Sequence, residues 1–173
     1  SAGYTIRTHE IALAQREAGL DPHVVTQCGF PVTQGRIDGR RLVELDGVPY
    51  HRLLPWRMPS QAALTSSGLE LAAGLTRQLR PAVLHAASNY ANARLALALR
   101  ERYGLPVVYE VRGFWEDTWA AGVAGIVDDP EATDRYRLTR EAETDVMLAA
   151  DAVVTLSEIM RAQLQFPNSH IVT

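Results

Sequence analysis

The stretch Leu105-Pro-Val-Val-Tyr-Glu-Val-Arg-Gly-Phe-Trp-Glu-Asp-Thr118 carries the clearest signal for the fold of this chain. Its first part, Pro106 to Val111, is a nearly continuous apolar run, which is typical of a strand buried on both faces of a parallel sheet. Residues 112–129 lack a regular pattern, so we predict a long irregular segment there. Loops longer than about 12–15 residues are usually functional or mobile. The stretch therefore predicts a buried strand that leads directly into a candidate site.

Helical and strand patterns alternate on either side of this stretch. The predicted strands span residues 23–27, 41–45, 48–53, 83–85, 106–111, 151–156 and 171–172, and the predicted helices span 4–18, 64–79, 89–103, 131–149 and 158–165. Such alternation is the signature of βαβ units on a parallel sheet. Asp46-Gly47 separates two strands and is the strongest short signal for a hairpin. We therefore predict an α/β fold, a Rossmann-like doubly wound parallel sheet, over residues 1–173.

The start of the sequence departs from that fold. A doubly wound domain normally opens with a strand and a glycine-rich turn before its first helix. This sequence opens at Ser1-Ala-Gly3, in the turn, so we expect the first and usually central strand to be missing. Without that strand, the domain is expected to be marginally stable or to borrow a strand from a neighbour.

Composition narrows the classes of function. The chain has 173 residues, a net charge of −3, 47% hydrophobic and 21% charged residues, which suits one globular domain. No basic stripe with interleaved aromatic residues is present, so we do not expect a nucleic acid partner. Cys28 is the single cysteine, which fits a reducing cytoplasm, and no stretch of about 18 apolar residues could span a membrane. We therefore expect a cytoplasmic location.

Four segments, in order along the chain, carry a resemblance to a known family. They are Ser1–Glu10, Val83–Asn89, Leu105–Thr118 and Ala150–Glu158, of which the third is the most specific. Together they resemble the N-terminal domain of retaining family-4 glycosyltransferases with the GT-B fold, of the type found in bacterial polysaccharide or glycoconjugate gene sets. The resemblance covers nearly the whole chain. It implies that residues 1–173 are the acceptor-side, Rossmann-like half of a two-domain enzyme.

The resemblance also implies substrates and partners. In this family the N-terminal domain holds the acceptor, and the C-terminal domain holds most of the nucleotide-sugar donor across a cleft. We therefore expect transfer of a sugar, with retention, to a glycan, a lipid-linked acceptor or a small hydroxyl compound. No cofactor or metal is expected, because the nucleotide-sugar is itself a substrate. The donor-binding C-terminal domain is absent from the sequence, so we expect the chain alone to be inactive.

The strongest candidates for catalytic residues follow the buried strand. Arg112 occupies the position where many members of the family keep a histidine near the reacting sugar. An arginine cannot act as a base, since its pKa exceeds about 12, so Arg112 would stabilise a phosphate or orient a hydroxyl. Alternatively, it could form a buried ion pair with Glu110. Glu116 is the second catalytic candidate, and Trp115 could stack on a sugar face or pack the loop.

Five further residues are candidates for substrate binding. Gly3 and Arg7 lie at the first turn and helix, where the resemblance implies contact with donor phosphates; a glycine there lets backbone approach a phosphate. His85 and Asn89 lie at the carboxyl end of a strand, the edge that lines the ligand crevice in open α/β sheets. Ser157 lies at a similar edge. The alternatives are a tight turn, a solvated arginine, a packed histidine and two helix caps.

One loop suggests a membrane contact, and no segment suggests a metal site. Trp56, Arg57 and Met58 combine an aromatic, a basic and an apolar side chain between two prolines, so this loop could rest on the inner face of the membrane or hold a lipid-linked acceptor. It could equally be an ordinary exposed loop. The adjacent pair Asp128-Asp129 is not the spaced pair of carboxylates that metal-dependent GT-A enzymes use, and no metal-ligand cluster is evident.

Two other functions remain open from the sequence. A sugar-nucleotide 2-epimerase with the same GT-B-like architecture would need its own catalytic acids in both halves. A non-catalytic, flavodoxin-like binding module is the second alternative, because a fold does not imply a function.

Overall fold

A computed structural model of the chain describes residues 2–60, 63–164 and 171–172 and divides them between two compact units, Ser1–Leu79 and Arg80–Thr173. The first unit comprises α1 (Ala2–Glu17), β1 (Val24–Val25), a short 3-10 helix (Val32–Gln34), β2 (Leu42–Leu45), β3 (Val48–His51) and α2 (Leu64–Leu79). The second comprises β4 (Leu84–Ala87), α3 (Tyr90–Tyr103), β5 (Val107–Val111), α4 (Trp115–Gly122), α5 (Asp134–Ala149), β6 (Ala152–Thr155), α6 (Glu158–Leu164) and β7 (Ile171–Val172).

The first unit is built on a three-stranded sheet in the order β1-β3-β2. β3 pairs parallel with β1 and antiparallel with β2. The predicted hairpin is confirmed: Asp46 and Gly47 join β2 to β3 with φ angles of 49° and 77°. Two consecutive positive φ angles make the tight turn whose twist matches that of paired strands. Val48, the first residue after the turn, is fully buried.

Polar contacts, more than apolar packing, attach α1 to this hairpin. Ala12 is the one buried residue among the side chains of α1 that the structure describes. The His9 ring forms hydrogen bonds with Tyr50 Oη at 2.8 Å and with Asp46 Oδ2 at 2.9 Å. Arg16 Nη1 donates to the carbonyl oxygen of Asp46 at 2.8 Å. The turn is therefore the anchor of the helix.

The second unit carries the predicted parallel sheet. Its strands lie in the order β4-β5-β6-β7, and every neighbouring pair is parallel. β5 is central and buried, as its apolar sequence predicts, with Val107 and Tyr109 fully enclosed. The core around it is formed by Ala86, Ala93, Ala96, Val107, Tyr109, Val111, Val146, Met147 and Val153. The α/β fold class is thus confirmed.

The described strands form two sheets, the three-stranded sheet of the first unit and the four-stranded parallel sheet of the second. β1 pairs with β3, and β4 pairs with β5. No described strand forms hydrogen bonds with both β1 and β4. No described strand precedes α1, since Ala2 already lies in that helix. None of the helices within the described ranges is long and apolar enough to cross a bilayer.

Side-chain caps fix where three helices of the second unit, α3, α5 and α6, begin. The Asn89 side chain accepts from the backbone N–H of Ala91 at 3.2 Å, and Ser157 accepts from that of Met160 at 3.3 Å. Both roles were foreseen as alternatives to ligand binding. Thr133 caps α5 in the same way, so this helix begins at Asp134 and not at Glu131 as predicted.

The prediction that residues 112–129 are irregular is wrong, because α4 occupies Trp115–Gly122. Two acidic side chains, Glu116 and Asp117, lie in the first turn of α4, where a negative charge interacts favourably with the positive end of the helix dipole. Tyr136 of α5 donates a hydrogen bond to Asp117 at 2.7 Å and so ties the two helices together. The short helix depends on this tertiary contact, which sequence periodicity does not reveal.

We expect Gly47→Ala to destabilise the first unit more than Gly35→Ala. Both glycines have φ near 75°, which costs any L side chain about 1 kcal/mol. A Cβ on Gly47 would lie 1.8 Å from Arg16 Nη1, whereas nothing lies within 4 Å of the same position on Gly35. Gly47→Ala should therefore also lose the Arg16 hydrogen bond, a further loss of about 1 kcal/mol in urea unfolding.

The double-mutant cycle with Arg16→Ala provides the control. In the Arg16→Ala background, the two glycine substitutions should have equal effects on the free energy of unfolding. A difference that persists there would show that the close approach of Arg16 is not its cause.

Candidate active site

The carboxyl ends of β4, β5 and β6 bring several sequence-predicted residues of the second unit to one edge of the sheet. His85 lies within β4, two residues before its carboxyl end and not at that end as predicted, because the strand continues to Ala87. In the parallel register, Ala87 lies opposite Glu110, and Val111 lies opposite Thr155. The residues that follow these strands include Asn89, Arg112 and Ser157. In open α/β sheets this edge is where ligands bind.

A buried ion pair lies at the centre of this edge. Glu110 Oε2 accepts from Arg112 Nε at 3.0 Å and from Arg112 Nη2 at 2.7 Å. The two side chains are 1% and 4% exposed. The ion pair that the sequence left as an alternative is therefore present. Ionised groups are buried at acceptable cost only when they are paired and hydrogen-bonded, and here each neutralises the other.

His85 and Ser88 complete what we call the edge cluster: His85, Ser88, Glu110 and Arg112. His85 Nε2 lies 3.2 Å from Glu110 Oε2, and the histidine side chain is 31% exposed. Ser88 Oγ accepts from the backbone N–H of Arg112 at 3.0 Å, and Ser88 N donates to the carbonyl oxygen of Glu110 at 2.9 Å. His85 is thus the member of the cluster with the greatest access to a ligand.

A second buried acidic group lies beside α5. Tyr109 Oη donates to Glu143 Oε2, and the backbone N–H of Tyr90 donates to Glu143 Oε1 at 2.9 Å. Burial raises the pKa of Glu143, although these two hydrogen bonds oppose the rise. Burial, followed by the hydrogen bond to Glu143, raises the pKa of Tyr109 far above its ordinary range, so the phenol stays protonated.

Glu116, on the first turn of α4, is buried without full compensation. Its side chain is enclosed, and Oε2 is the one buried side-chain polar atom without a hydrogen-bond partner among the residues that the structure describes. Burial raises the pKa of this carboxyl, and the neighbouring carboxylates Asp117 and Glu143 raise it further. Glu116 therefore combines a raised pKa with an unused hydrogen-bond acceptor, a combination often found at functional sites.

The remaining sequence-predicted site residues lie outside the edge cluster. Trp115 is partly exposed beside Glu116. Asn89 and Ser157 act as helix caps, as described above. Gly3 and Arg7 lie exposed on α1, in the first unit, and an added Cβ on Gly3 would meet no atom within 4 Å. The structure thus brings His85 and Arg112 together, while Gly3 and Arg7 belong to the other unit.

Glu143 and Tyr109 had no role in the sequence-based prediction. A signal for Glu143 exists in hindsight, because Ala142, Val146 and Met147 form the buried face of α5 and Glu143 lies among them. A charged residue on an apolar helix face needs a buried partner.

The described residues contain no cluster of metal ligands. Across residues 2–60, 63–164 and 171–172, no three or more His, Cys, Asp or Glu side chains are grouped so as to hold a metal ion.

Comparisons with known proteins agree with this architecture. A structure of sucrose-phosphate synthase from Thermosynechococcus elongatus is similar to the chain with a TM-score of 0.62 at 13% sequence identity, over 96% of this chain and 80% of that chain. At such identity the likeness shows the fold, which is that of a GT-B glycosyltransferase domain. No curated protein matches the sequence significantly. The family model described as "Glycosyl transferase 4-like domain" matches residues 2–172. The chain therefore belongs to the glycosyl transferase 4-like domain family.

Proposed function

We propose that this domain holds the acceptor for a glycosyltransferase that moves a sugar from a nucleotide-sugar donor to a glycan or lipid-linked acceptor, with retention. Membership of the family supports the reaction class. The observation that carries the proposal is the edge cluster, in which a buried, paired carboxylate faces a partly exposed histidine at the ligand-binding edge of a parallel sheet.

His85 is the residue that we propose to contact the acceptor. Glu110 Oε2 accepts hydrogen bonds from Arg112 and lies 3.2 Å from His85 Nε2, a geometry that favours the histidine tautomer with its proton on Nε2. The Nδ1 lone pair is then available to accept a hydrogen bond from a substrate hydroxyl. A hydroxyl oriented in this way presents its oxygen lone pairs to the donor sugar.

Arg112 and Glu110 act as positioning residues in this proposal. The sequence suggested direct contact between Arg112 and a phosphate or hydroxyl, but the 4% exposure of its side chain favours a role through Glu110. A charge pair of this kind keeps the histidine in one tautomer and one orientation, as the carboxylates that support catalytic histidines do in other enzymes.

Glu116 and Trp115 are proposed to contact a sugar. The Glu116 side chain is as enclosed as that of Arg112, so its unpartnered Oε2 would accept a hydrogen bond from a sugar hydroxyl only once sugar binding exposes it. Trp115 offers a partly exposed aromatic face for stacking on a pyranose ring. Both residues lie on the first turn of α4, immediately after β5.

The remaining parts of the proposal come from the sequence and from the family resemblance. Gly3 and Arg7 would contact donor phosphates, and Asn89 and Ser157 would add ligand contacts to their capping roles. A second, donor-binding domain would complete the enzyme, so this domain alone is expected to transfer no sugar. The reaction would need no metal or cofactor, would take place in the cytoplasm at the inner face of the membrane, and would serve bacterial polysaccharide synthesis.

We expect His85→Gln, made in the full-length enzyme, to lower kcat/KM for the acceptor about 100-fold, since one positioned hydrogen-bonding group is lost. The KM for the donor should be nearly unchanged. His23→Gln is the matched control, because the His23 side chain is similarly exposed, at 26%, but lies in the first unit. If kcat/KM for the acceptor were the same in His85→Gln and His23→Gln, His85 would not contact the acceptor.

We expect Arg112→Ala to lower both the stability of the fold, by about 3 kcal/mol, and transition-state stabilisation, by at least about 2 kcal/mol, because it removes the arginine partner of the buried Glu110. The double variant Glu110→Leu/Arg112→Leu should recover most of the stability but none of the lost kcat/KM. Urea unfolding and initial rates over a panel of nucleotide-sugars measure the two quantities. A double variant with restored turnover would make the pair purely structural.

We expect Glu116→Gln to raise the melting temperature while it lowers the transfer rate. A carboxyl with a raised folded-state pKa loses stability as the pH rises above its ordinary value of 4.5, so the gain should grow from acidic to neutral pH. Glu141→Gln, an exposed substitution on α5, is the control and should change neither quantity. A gain in stability without loss of transfer would exclude Glu116 from the chemistry.

The same panel separates the alternatives. Release of a 2-epimerised sugar, without transfer, would favour the epimerase. Failure of the full-length protein to consume or bind any nucleotide-sugar would favour a binding module.

A further inference from the structure

Two loops of the first unit, residues 28–41 and 52–58, pack against each other. We refer to these two loops together as the loop surface. Gly29 N donates to the carbonyl oxygen of Leu53 at 2.8 Å, and Arg52 N donates to that of Arg41 at 2.8 Å. The Arg52 guanidinium lies 5.9 Å from the centre of the Phe30 ring. These contacts make the two loops neighbours that can act as one surface.

Large apolar side chains project from both loops into solvent. Ile37 is 100% exposed on the first loop, and Trp56 is 92% exposed on the second. Met58 and Val32 add partly exposed apolar area. Single exposed apolar residues are ordinary in soluble proteins, whereas a cluster of them on neighbouring loops indicates an interaction surface.

The loop surface is also strongly basic. It contains five of the 17 arginines of the chain and one acidic residue, in a chain whose net charge is −3. The acidic residue, Asp38, is paired with Arg40 at 2.6 Å and with Arg52 at 2.7 Å, and these hydrogen bonds, that of Arg40 first, keep its pKa well below its ordinary range. Five arginines against one carboxylate leave a net charge of four on the loop surface, and three of the arginines, Arg36, Arg41 and Arg57, are exposed and lie outside the contacts of Asp38.

We propose that the loop surface docks on an anionic phospholipid bilayer. The arginines match the lipid phosphates in charge and geometry, while Ile37, Trp56 and Met58 can enter the boundary between headgroups and acyl chains, where indole rings are stable. Nucleic acid would satisfy the arginines but not the apolar tips. The proposal extends the sequence-predicted contact at Trp56–Met58 to a second loop, and it does not depend on sugar transfer.

Co-sedimentation of the chain with vesicles tests the proposal. We expect binding to vesicles that contain phosphatidylglycerol, little binding to phosphatidylcholine alone, and a marked loss of binding at high salt, because the attraction to anionic lipid is screened. Equal binding to neutral vesicles, or none to anionic vesicles, would overturn the proposal.

Matched variants assign the binding to the loops. Ile37→Ser and Trp56→Ser should each weaken vesicle affinity about tenfold, and Arg36→Gln/Arg57→Gln should do so by a similar factor. Ile126→Ser alters an isoleucine that is 82% exposed in the second unit and should leave binding unchanged. Circular dichroism should be the same for all four, since these side chains are exposed.

Two results would contradict the assignment. Loop variants that bind anionic vesicles as tightly as the unaltered chain would place the lipid contact elsewhere. A dimer of the chain that dissociates in Ile37→Ser and Trp56→Ser, together with absent vesicle binding, would make the loop surface a contact between two copies.

Discussion

The buried side chain of Glu110, in the central strand of a parallel sheet, determines which residues are placed around it. A carboxylate in the central strand β5 is unfavourable unless a partner neutralises it, and Arg112, two residues later on the same strand edge, supplies that partner. The pair then determines what lies around it. Ser88 binds the backbone at both residues, and His85 faces the remaining carboxylate surface. This edge of the sheet is consequently held together by electrostatic contacts, beside the apolar core.

Local signals made several elements predictable from the sequence. The apolar run at 106–111 gave β5, the Asp46-Gly47 pair gave the hairpin, and Ser157 marked the beginning of α6, because each depends on neighbours in sequence. Glu110 and Arg112 could be paired in advance for the same reason. These signals act through backbone conformation and hydrogen bonds to adjacent residues, so they can be recognised without the tertiary structure.

Elements that depend on distant partners were not predictable. α4 forms where Asp117 receives a hydrogen bond from Tyr136, 19 residues later. The buried acidic group joins Tyr109 to Glu143 across 34 residues. No sequence pattern reports the burial of Glu116 or its unpaired oxygen. Such contacts depend on how the helices pack on the sheet. In the sequence alone, these residues are charged or polar side chains whose partners cannot be identified.

The way in which α1 is held has a consequence for its motion. Because the helix buries little apolar surface, separation from the hairpin would expose few carbon atoms and would mainly exchange the hydrogen bonds of His9 and Arg16 for bonds to water. Its local opening should therefore cost much less free energy than unfolding of the sheet. The backbone amides of α1 would exchange with solvent long before those of β5. The helix that carries Gly3 and Arg7 can thus change position while the core stays intact.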